Sequence, residues 1–243
     1  MKGKGGKSQV PLSMWERFMS NFRTITGAVA VALFIRIVLF EAFEIEGPSM
    51  QPTLLNGDRV VVAKFLYGLF LPFTHEALVT WGMPNLGDVV IVNSPADGID
   101  IVKRVIGLPG DTIEIRDDVV IRNGTPLVRR NLGPCRDAQA RREIDTGDCE
   151  WFEDIVGERT FRTSHAIHGG VSNFPPRQVP DDHIYIMGDH RDRSNDSRFF
   201  GPVPISRVKG RALFIYWSSD PGSDPEYHGE RGTRTDRFLD GVQ

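Results

Sequence analysis

The residue whose chemistry stands out first is a serine in an unusual local setting. Ser49 lies between a proline and a methionine in the stretch GPSMQPTL, residues 47–54. A serine hydroxyl is a weak nucleophile until a neighbouring base takes its proton. The chain has six histidines, but none stands in a recognisable triad setting, and no G-x-S-x-G motif surrounds a serine. His165 and His168 have a loose metal-ligand spacing without an evident carboxylate or cysteine partner, so we predict no metal site and no cofactor.

Lysine is the better candidate for the base. Lys103 lies in the strand-like run DIVKRVI, residues 100–106, where alternation places it on one face with Ile101 and Val105. If that face is inward, burial disfavours the ammonium form. A useful base needs its pKa moved from ~10.4 to roughly 7–8, which corresponds to about 4 kcal/mol of desolvation. The alternative is a strand lysine that extends its ammonium group to water, and strand position alone favours this alternative.

The serine follows the only long apolar run of the sequence, residues 24–43. Twenty residues of helix span about 30 Å, which is the thickness of a bilayer core, and predict one transmembrane helix. Basic residues precede the run and Glu41, Glu44 and Glu46 follow it or lie near its end, so residues 1–23 are predicted to lie in the cytoplasm and everything after about residue 44 outside. No small-x-small cleavage site follows the run, which disfavours a cleaved signal peptide; a buried soluble helix is the other alternative.

From residue 44 onward the pattern is that of an all-β protein built from antiparallel sheets. We expect a core formed by residues 44–121 and 180–243, with residues 122–179 inserted as a smaller non-catalytic β region. The apolar segment 65–73 is either part of the core or a lip that touches a bilayer surface. Short runs rich in valine and isoleucine, separated by turn residues, predict strands at 60–65, 89–92, 99–106, 112–115, 118–121, 184–187, 208–211 and 213–217.

Two cysteines, Cys135 and Cys149, fall in the inserted region. A bridge between them would close a loop of about 15 residues, worth on the order of 3 kcal/mol in the chain-entropy model. Disulfides need an oxidising compartment, and the predicted topology places both residues outside the cytosol, so we favour the bridge over two free thiols. The net charge of -3 gives no reason to expect a nucleic-acid partner.

Four blocks of the sequence resemble the bacterial type I signal peptidases. They are GPSMQPTLLNGD at 47–58, GDVV at 87–90, IVKRVIGLPGD at 101–111 and GDHRDRSNDSRFFG at 188–201. The blocks follow the family's order from the membrane anchor to about residue 217. Each block alone is a weak match, but together, behind one N-terminal anchor, they are highly specific.

The resemblance implies a Ser/Lys dyad in a fold of the LexA and signal-peptidase type. Ser49 matches the nucleophile, and Lys103 matches the general base. Ser194 matches a hydroxyl that hydrogen-bonds and orients the lysine, while Asp196 and Arg198 match a supporting ion pair. Without the resemblance, these last three residues would be interpreted as a charged loop and a turn.

The family cleaves signal peptides from exported preproteins after small residues at positions -3 and -1. The resemblance therefore implies a preprotein partner, a lipid bilayer, and a functional monomer in the bacterial inner membrane with its catalytic domain on the outer side. The extended substrate is expected to pair with strand edges near the dyad. By position, the small pockets that select small side chains would be lined by Ile45, Met50, Leu54, Ile101 and Val102.

The sequence departs from the family pattern at three positions. Gly47 replaces a serine or threonine whose hydroxyl, in one branch, helps the oxyanion hole, so the Ser49 backbone N–H must carry more of the charge. His190 and Phe200 replace the more usual asparagine and tryptophan, and His190 keeps a histidine base under consideration. Two alternatives are a soluble LexA-type autoprotease, which the apolar run argues against, and an anchored β-domain that only binds peptides, which the joint presence of Ser49, Lys103 and Ser194 argues against.

Overall fold

The computed structural model describes residues 14–70, 74, 76–135, 149–167, 172–219 and 232–242. Helix α1 spans Met14–Phe34 and continues as one π-helical turn over Ile35–Leu39. The first strand, β1, then begins at Phe40. Among the described residues, no helix is both long enough and apolar enough to cross a lipid bilayer.

The apolar run predicted as one helix to residue 43 therefore changes structure before its end. Residues 40–43 belong to β1 because their backbone pairs with β2 (Asp58–Ala63), with Phe40 opposite Ala63 and Glu44 opposite Arg59. Ladder hydrogen bonds to a neighbouring strand outweigh the weak helix preference of a run rich in aromatic and β-branched residues. Residues 1–13 of the predicted cytoplasmic tail lie outside the described part of the chain.

After α1 the described chain is mostly antiparallel β-structure, which confirms the predicted fold class. The two segments predicted at 208–211 and 213–217 form one strand with two irregularities in its pairing to β2. The strands are β1 Phe40–Glu44, β2 Asp58–Ala63, β3 Gly68–Leu69, β4 Val79–Thr80, β5 Val89–Asn93, β6 Asp100–Gly107, β7 Thr112–Arg116, β8 Val119–Arg122, β9 Thr125–Pro126, β10 Val128–Pro134, β11 Cys149–Val156, β12 Arg159–Ala166, β13 Phe174–Gln178, β14 His183–Met187, β15 Val203–Pro204 and β16 Val208–Ser218.

Within the described residues, the largest sheet has seven strands in the order β1-β2-β16-β5-β6-β14-β15. Because β6 lies between β5 and β14, its side chains are enclosed, and all eight of its residues are buried or partly buried. Apolar side chains from β2, β5 and β16 pack with the loop that follows β1. This packing fixes that loop, which carries Ser49, against the sheet.

The region after β6 forms two smaller sheets. One has the order β13-β7-β8-β9, and the other is β10-β11-β12. The predicted hairpin signal Asn123-Gly124 joins β8 to β9, and both residues have the positive φ angles, 53° and 77°, that a two-residue hairpin turn requires. Since β9 and β13 pair with β8 and β7, the predicted insertion 122–179 contributes strands to a sheet that begins outside it.

The apolar segment 65–73 contributes in part to the core. Tyr67 and Phe70 are buried, whereas Phe65 is 39% exposed. Residues 71–73 lie outside the described part of the chain.

The inserted region contains a disulfide bond between Cys135 and Cys149. Their sulfur atoms are bonded at 2.07 Å, and the pair packs beside Trp151.

Candidate active site

The loop between β1 and β2 holds Ser49 at the edge of the large sheet. Its C-terminal end is fixed by Asp58, which is fully buried and accepts hydrogen bonds from the Leu55 N–H at 2.8 Å and the Ser218 hydroxyl at 2.6 Å. Arg237 donates both to Asp58 at 2.7 Å and to the Thr53 carbonyl at 2.9 Å. The loop is therefore anchored from β16 and from the C-terminal segment, which leaves Ser49 partly exposed on a rigid support.

The backbone around Ser49 explains why glycine stands at position 47. Gly47 has φ +83°, in the left-handed region where a Cβ atom is strained, although an added Cβ would meet open space. Its N–H donates to the Asn56 side-chain oxygen at 3.3 Å. Within the described part of the chain, the Ser49 N–H has no hydrogen-bond acceptor. This N–H is consequently available to a developing negative charge beside the serine.

Strand β6 brings Lys103 to the serine across 54 positions of sequence. Lys103 Nζ lies 2.8 Å from Ser49 Oγ and donates to the Val102 carbonyl at 2.8 Å. The side chain is 3% exposed, so the inward orientation applies and not the alternative in which the ammonium group reaches water. Among the described residues, no carboxylate forms an ion pair with this amine.

Burial lowers the pKa of Lys103 from 10.5 to about 8, since desolvation disfavours the ammonium form. The negative charges of Asp196 and Asp189 act in the opposite direction and raise it, and the positive charge of Arg198 lowers it further. A substantial fraction of the amine is therefore neutral near pH 8. A neutral amine within hydrogen-bond distance of a hydroxyl can accept its proton.

The segment after β14 forms the floor of the site. Asp196 caps the short helix α2 (Ser197–Phe200) and receives two hydrogen bonds from the Arg198 guanidinium, each at 2.8 Å. Both side chains are buried, at 0% and 7% exposure. Asp196 also accepts from the Gly188 N–H at 3.0 Å. The structure thus brings the two residues together as an ion pair that closes the segment 188–198 into a compact loop.

Ser194 is in the same loop but is not bonded to the lysine. Its hydroxyl is buried and has no hydrogen-bond partner within the described residues. It lies against Gly188, where an added Cβ would clash with Ser194 Oγ and with the Ser49 carbonyl oxygen. Gly188 therefore permits the close approach of the two serine-bearing segments, and a larger residue at this position would separate them.

His190 approaches the nucleophile through its backbone. Its N–H donates to the Ser49 carbonyl at 3.1 Å, and burial lowers the pKa of its ring to about 4. No hydrogen bond joins the ring to the Ser49 hydroxyl in the described structure. The geometry therefore favours Lys103 over His190 as the proton acceptor.

A groove of about 570 Å³ opens beside the serine and the lysine. One wall is the end of β1 with the following residues, 43–46, and the other is the start of β6, residues 98–103. Strand β14 pairs with β6 only from Arg104 onward, so residues 100–102 present an open edge on that side. Of the five residues predicted to line the pockets, Ile45, Met50, Ile101 and Val102 line the groove, whereas Leu54 is fully buried in the core beneath the loop.

Comparison with known proteins identifies the family. The sequence model described as "Signal peptidase, peptidase S26" matches residues 18–217. The chain belongs to the signal peptidase family. The signal peptidase I of Pseudomonas fluorescens is 34% identical over 209 residues, covering 79% of this chain and 69% of that protein. The signal peptidase I of Bacillus licheniformis is 32% identical over 196 residues, covering 80% of this chain and 86% of that protein.

A solved signal peptidase I from Enterococcus faecalis V583 is 30% identical and is covered to 98% of its length by 54% of this chain. Its TM-score is 0.33, too low for an argument about the fold. Membership of the signal peptidase family makes the chain a serine endopeptidase. It also disfavours the non-catalytic peptide-binding domain that the sequence left open.

Three polar residues of this signal peptidase were not anticipated from the sequence. Arg104 is fully buried and binds Asp189 through two nitrogen–oxygen contacts of 2.8 and 2.7 Å. Thr53, from the serine loop, donates its hydroxyl proton to Asp189 at 2.5 Å. The sequence signals that could have pointed to this pair were an arginine adjacent to the candidate lysine and an aspartate in the last matching block. Only the fold shows that the two side chains are in contact.

Proposed function

We propose that the chain cleaves signal peptides from exported preproteins by acylation of Ser49, with Lys103 as the general base. The observation that carries the proposal is the 2.8 Å separation of Lys103 Nζ and Ser49 Oγ at the end of an open groove. A lysine whose pKa is lowered to about 8 by burial is a competent base for a serine at mildly alkaline pH.

In the acylation step, neutral Lys103 takes the Ser49 proton while Oγ attacks the scissile carbonyl carbon. The tetrahedral intermediate collapses when the C–N bond breaks, and the Lys103 ammonium returns the proton to the departing amine of the mature chain. A water molecule, deprotonated by the same amine, then hydrolyses the Ser49 ester and releases the signal peptide. One group serves as base and acid in turn, as microscopic reversibility requires.

The Ser49 N–H is the backbone donor for the oxyanion in this proposal. It has no competing acceptor among the described residues, and Gly47 supplies no hydroxyl. One oxyanion donor is typically worth about 10²–10³ in rate, so a rigid loop that aims this N–H is the compensation available to the chain.

The substrate is proposed to enter the groove as an extended strand between residues 43–46 and 100–102. Backbone pairing with the open edge of β6 would supply affinity, as in other β-augmentation complexes. Met50, at 1% exposure, and Val102, at 7%, fill the walls next to the serine. A wall of fixed apolar side chains leaves room for small substrate residues and excludes large ones.

The residues of the loop 188–198 have supporting roles in the proposal. Asp196 and Arg198 hold the loop against β6 and set the charge around Lys103. Ser194, whose buried hydroxyl is unpaired within the described residues, is proposed to reach the lysine when substrate is bound. Such a change would satisfy a hydroxyl that is otherwise costly to bury.

A lipid bilayer is the proposed location of the enzyme, which we expect to act as a monomer with its N-terminus in the cytoplasm. The support is the exposure of large apolar side chains along α1, including Ile25, Val31 and Phe34, all above 50%. The basic residues before this helix follow the positive-inside rule. The catalytic part would then lie on the outer side, where exported preproteins emerge.

The test is cleavage of a purified preprotein by the full chain and by Ser49→Ala, Lys103→Ala and Lys103→Arg variants. Each variant is expected to lose at least about 10³-fold in kcat/KM, since arginine cannot be deprotonated near neutral pH. Lys64→Ala, a partly buried lysine outside the groove, is the matched control and should cleave normally. Wild-type activity should rise with pH through about 8, because only the deprotonated amine is a base.

Two results would contradict the proposal. One is wild-type cleavage by any of the three variants. The other is an activity limb near pH 4 that disappears in His190→Ala, since that is where the histidine titrates.

A further inference from the structure

The three-stranded sheet β10-β11-β12 contacts the back of the loop 188–193. The Ser164 N–H on β12 donates to the Asp189 carbonyl at 2.9 Å, and Ser164 forms a parallel β-bridge with His190. Further along β12, two positions after Ser164, the Ala166 N–H donates to the Asp192 carboxylate at 2.6 Å. The sheet from the inserted region is therefore hydrogen-bonded to the segment that forms the floor of the candidate active site.

A buried ion pair also joins the sheet to the loop. Arg191 Nη2 lies 3.0 Å from Asp154 Oδ2, and both side chains are 4% exposed. Asp154 is on the central strand β11, where it also forms an ion pair at 3.1 Å with Arg129 from β10 and accepts a hydrogen bond at 3.3 Å from the Thr163 hydroxyl on β12. One carboxylate thus joins all three strands of the sheet to the loop.

From Arg191 the contacts continue to the serine loop and to the Asp196–Arg198 pair. The Arg191 carbonyl accepts a hydrogen bond at 2.6 Å from Arg198, the partner of Asp196. The preceding residue, His190, donates its N–H to the Ser49 carbonyl. Arg191 consequently lies between the sheet on one side and the serine loop and the Asp196–Arg198 pair on the other.

We propose that Arg191 is a positioning residue through which the inserted sheet holds the loop 188–198 against Ser49 and Lys103. The inference rests on the proposed function and assigns a role in it to a region that was expected to be non-catalytic. Displacements of about 1 Å caused by a change far from the chemistry can cost on the order of 10² in rate. The Arg191–Asp154 pair is the fixed point that prevents such a displacement.

The charges around Asp154 determine which member of the ion pair should be substituted in a test. Two guanidinium groups, Arg129 and Arg191, share this carboxylate, and His165 beside them is kept neutral because burial and the two arginines lower its pKa. Removal of Asp154 would leave both arginines buried without a counter-charge and threaten the fold. Arg191→Gln instead leaves Asp154 paired with Arg129, so folding is preserved while the link to the loop is broken.

The test compares Arg191→Gln with Arg130→Gln in the full chain. Arg130 is the matched control because its ion pair with Glu153, at 2.9 Å, joins β10 to β11 within the sheet and its side chain is mostly exposed. Preprotein cleavage is measured as separate kcat and KM values across pH 6–10, and folding is followed by thermal unfolding of the same samples. Arg191→Lys, which keeps the charge without the guanidinium fork, is the conservative variant.

Arg191→Gln is expected to lower kcat about 10²-fold with KM changed less than about threefold. The alkaline-rising limb of kcat/KM should also move to higher pH, since a loosened loop admits water and reduces the desolvation that lowers the pKa of Lys103. The charged groups that face Lys103 (Asp189, Asp196 and Arg198) are all carried by the same loop. Arg191→Lys should fall between Arg191→Gln and wild type, and Arg130→Gln should match wild type.

The proposal requires both effects in folded Arg191→Gln protein. It is overturned if the variant keeps kcat within about twofold of Arg130→Gln, if the pH limb does not move, or if the loss only follows the unfolded fraction. Failure of the proposed function itself gives a different result, because wild type and Arg130→Gln would then also fail to cleave the preprotein.

Discussion

Lys103 and Arg104 are neighbours on β6 that point to opposite faces of the sheet. Both are buried cations, but the partners that surround them differ. Arg104 is fully buried and completely paired: it binds both oxygens of Asp189, donates to the Gly87 carbonyl at 2.8 Å and lies 4.0 Å from the centre of the Phe161 ring. A guanidinium group with this set of partners serves as a structural link.

Lys103 is buried to a similar degree but has no counter-ion among the described residues. Its amine meets one hydroxyl and one carbonyl, and the nearest carboxylates act on it only through space. Burial without a paired charge lowers the pKa of the amine, whereas burial with one preserves the charge. Lys103 is the candidate base because it combines burial, the lack of a paired charge and an amine that can lose its proton, whereas the guanidinium of Arg104 cannot be deprotonated near neutral pH.

The largest change in unfolding free energy is expected when the paired cation Arg104 is replaced. Arg104→Met should cost about 3–5 kcal/mol of unfolding free energy, because the Asp189 carboxylate would stay buried with the Thr53 hydroxyl as its one remaining partner among the described residues. Denaturant unfolding of the chain in detergent micelles measures this cost. Arg59→Met, which removes an exposed pair with Glu44, is the control and should cost below about 1 kcal/mol.

The double variant Arg104→Met/Asp189→Leu sharpens the same point. Since it removes both charges, it should be more stable than Arg104→Met alone. Equal losses in the single and double variants would mean that the ion pair is not what Arg104 contributes. The comparison between the two faces would then rest on packing.

The two faces also differ in how far the sequence predicts them. Alternation along β6 correctly places Lys103 inward with Ile101 and Val105, and a serine that needs a base directs attention to it. The Arg104–Asp189 pair joins residues 85 positions apart, and single-sequence periodicity carries no information about which side chains meet across a sheet. Leu54 was assigned to a pocket by motif position, yet its place in the core depends on the path of the loop around it.

The resemblance to a family brought residues together that local patterns could not. Ser194, Asp196 and Arg198 follow β14 in a loop whose composition gives no functional signal, and the proximity of Asp196 and Arg198 to Lys103 depends on the pairing of β14 with β6. The end of α1 shows the opposite limit. Hydropathy extends the helix to residue 43, whereas pairing with β2 converts the last four residues to strand.

A smaller change in unfolding free energy, of opposite sign, is expected when the unpaired cation Lys103 is replaced. The unfolded chain holds the Lys103 proton up to about pH 10.5, whereas the folded chain releases it near pH 8. Below pH 8 the folded state therefore carries a penalty of about 3 kcal/mol, which disappears as pH rises from 8 to 10.5. Lys103→Met has no ammonium group to bury and should be more stable than wild type at pH 7 by a comparable amount.

Unfolding free energies of wild type and Lys103→Met at pH 7, 9 and 10 test this sign. The advantage of the variant should shrink as pH rises, because the wild-type lysine becomes neutral in both states. An advantage that is independent of pH would show that the methionine acts through packing. A variant less stable than wild type at pH 7 would mean that Lys103 is charged and well solvated, and the contrast with Arg104 would fail.

The smallest effect is expected at Thr53, the residue through which the paired face reaches the serine loop. Thr53→Val removes the hydroxyl that donates to Asp189 and accepts from Arg104 Nη2 at 3.2 Å, but it leaves both charges in place. The loss of unfolding free energy should be about 1.5–2 kcal/mol, as for other hydrogen bonds to charged groups, and Thr53→Ser should restore most of it. Because Asp189 keeps its charge, the pH at which activity rises should not move. A shift of that limb in Thr53→Val would instead show that the two faces of β6 are coupled, so that the state of Lys103 depends on how Arg104 and Asp189 are held.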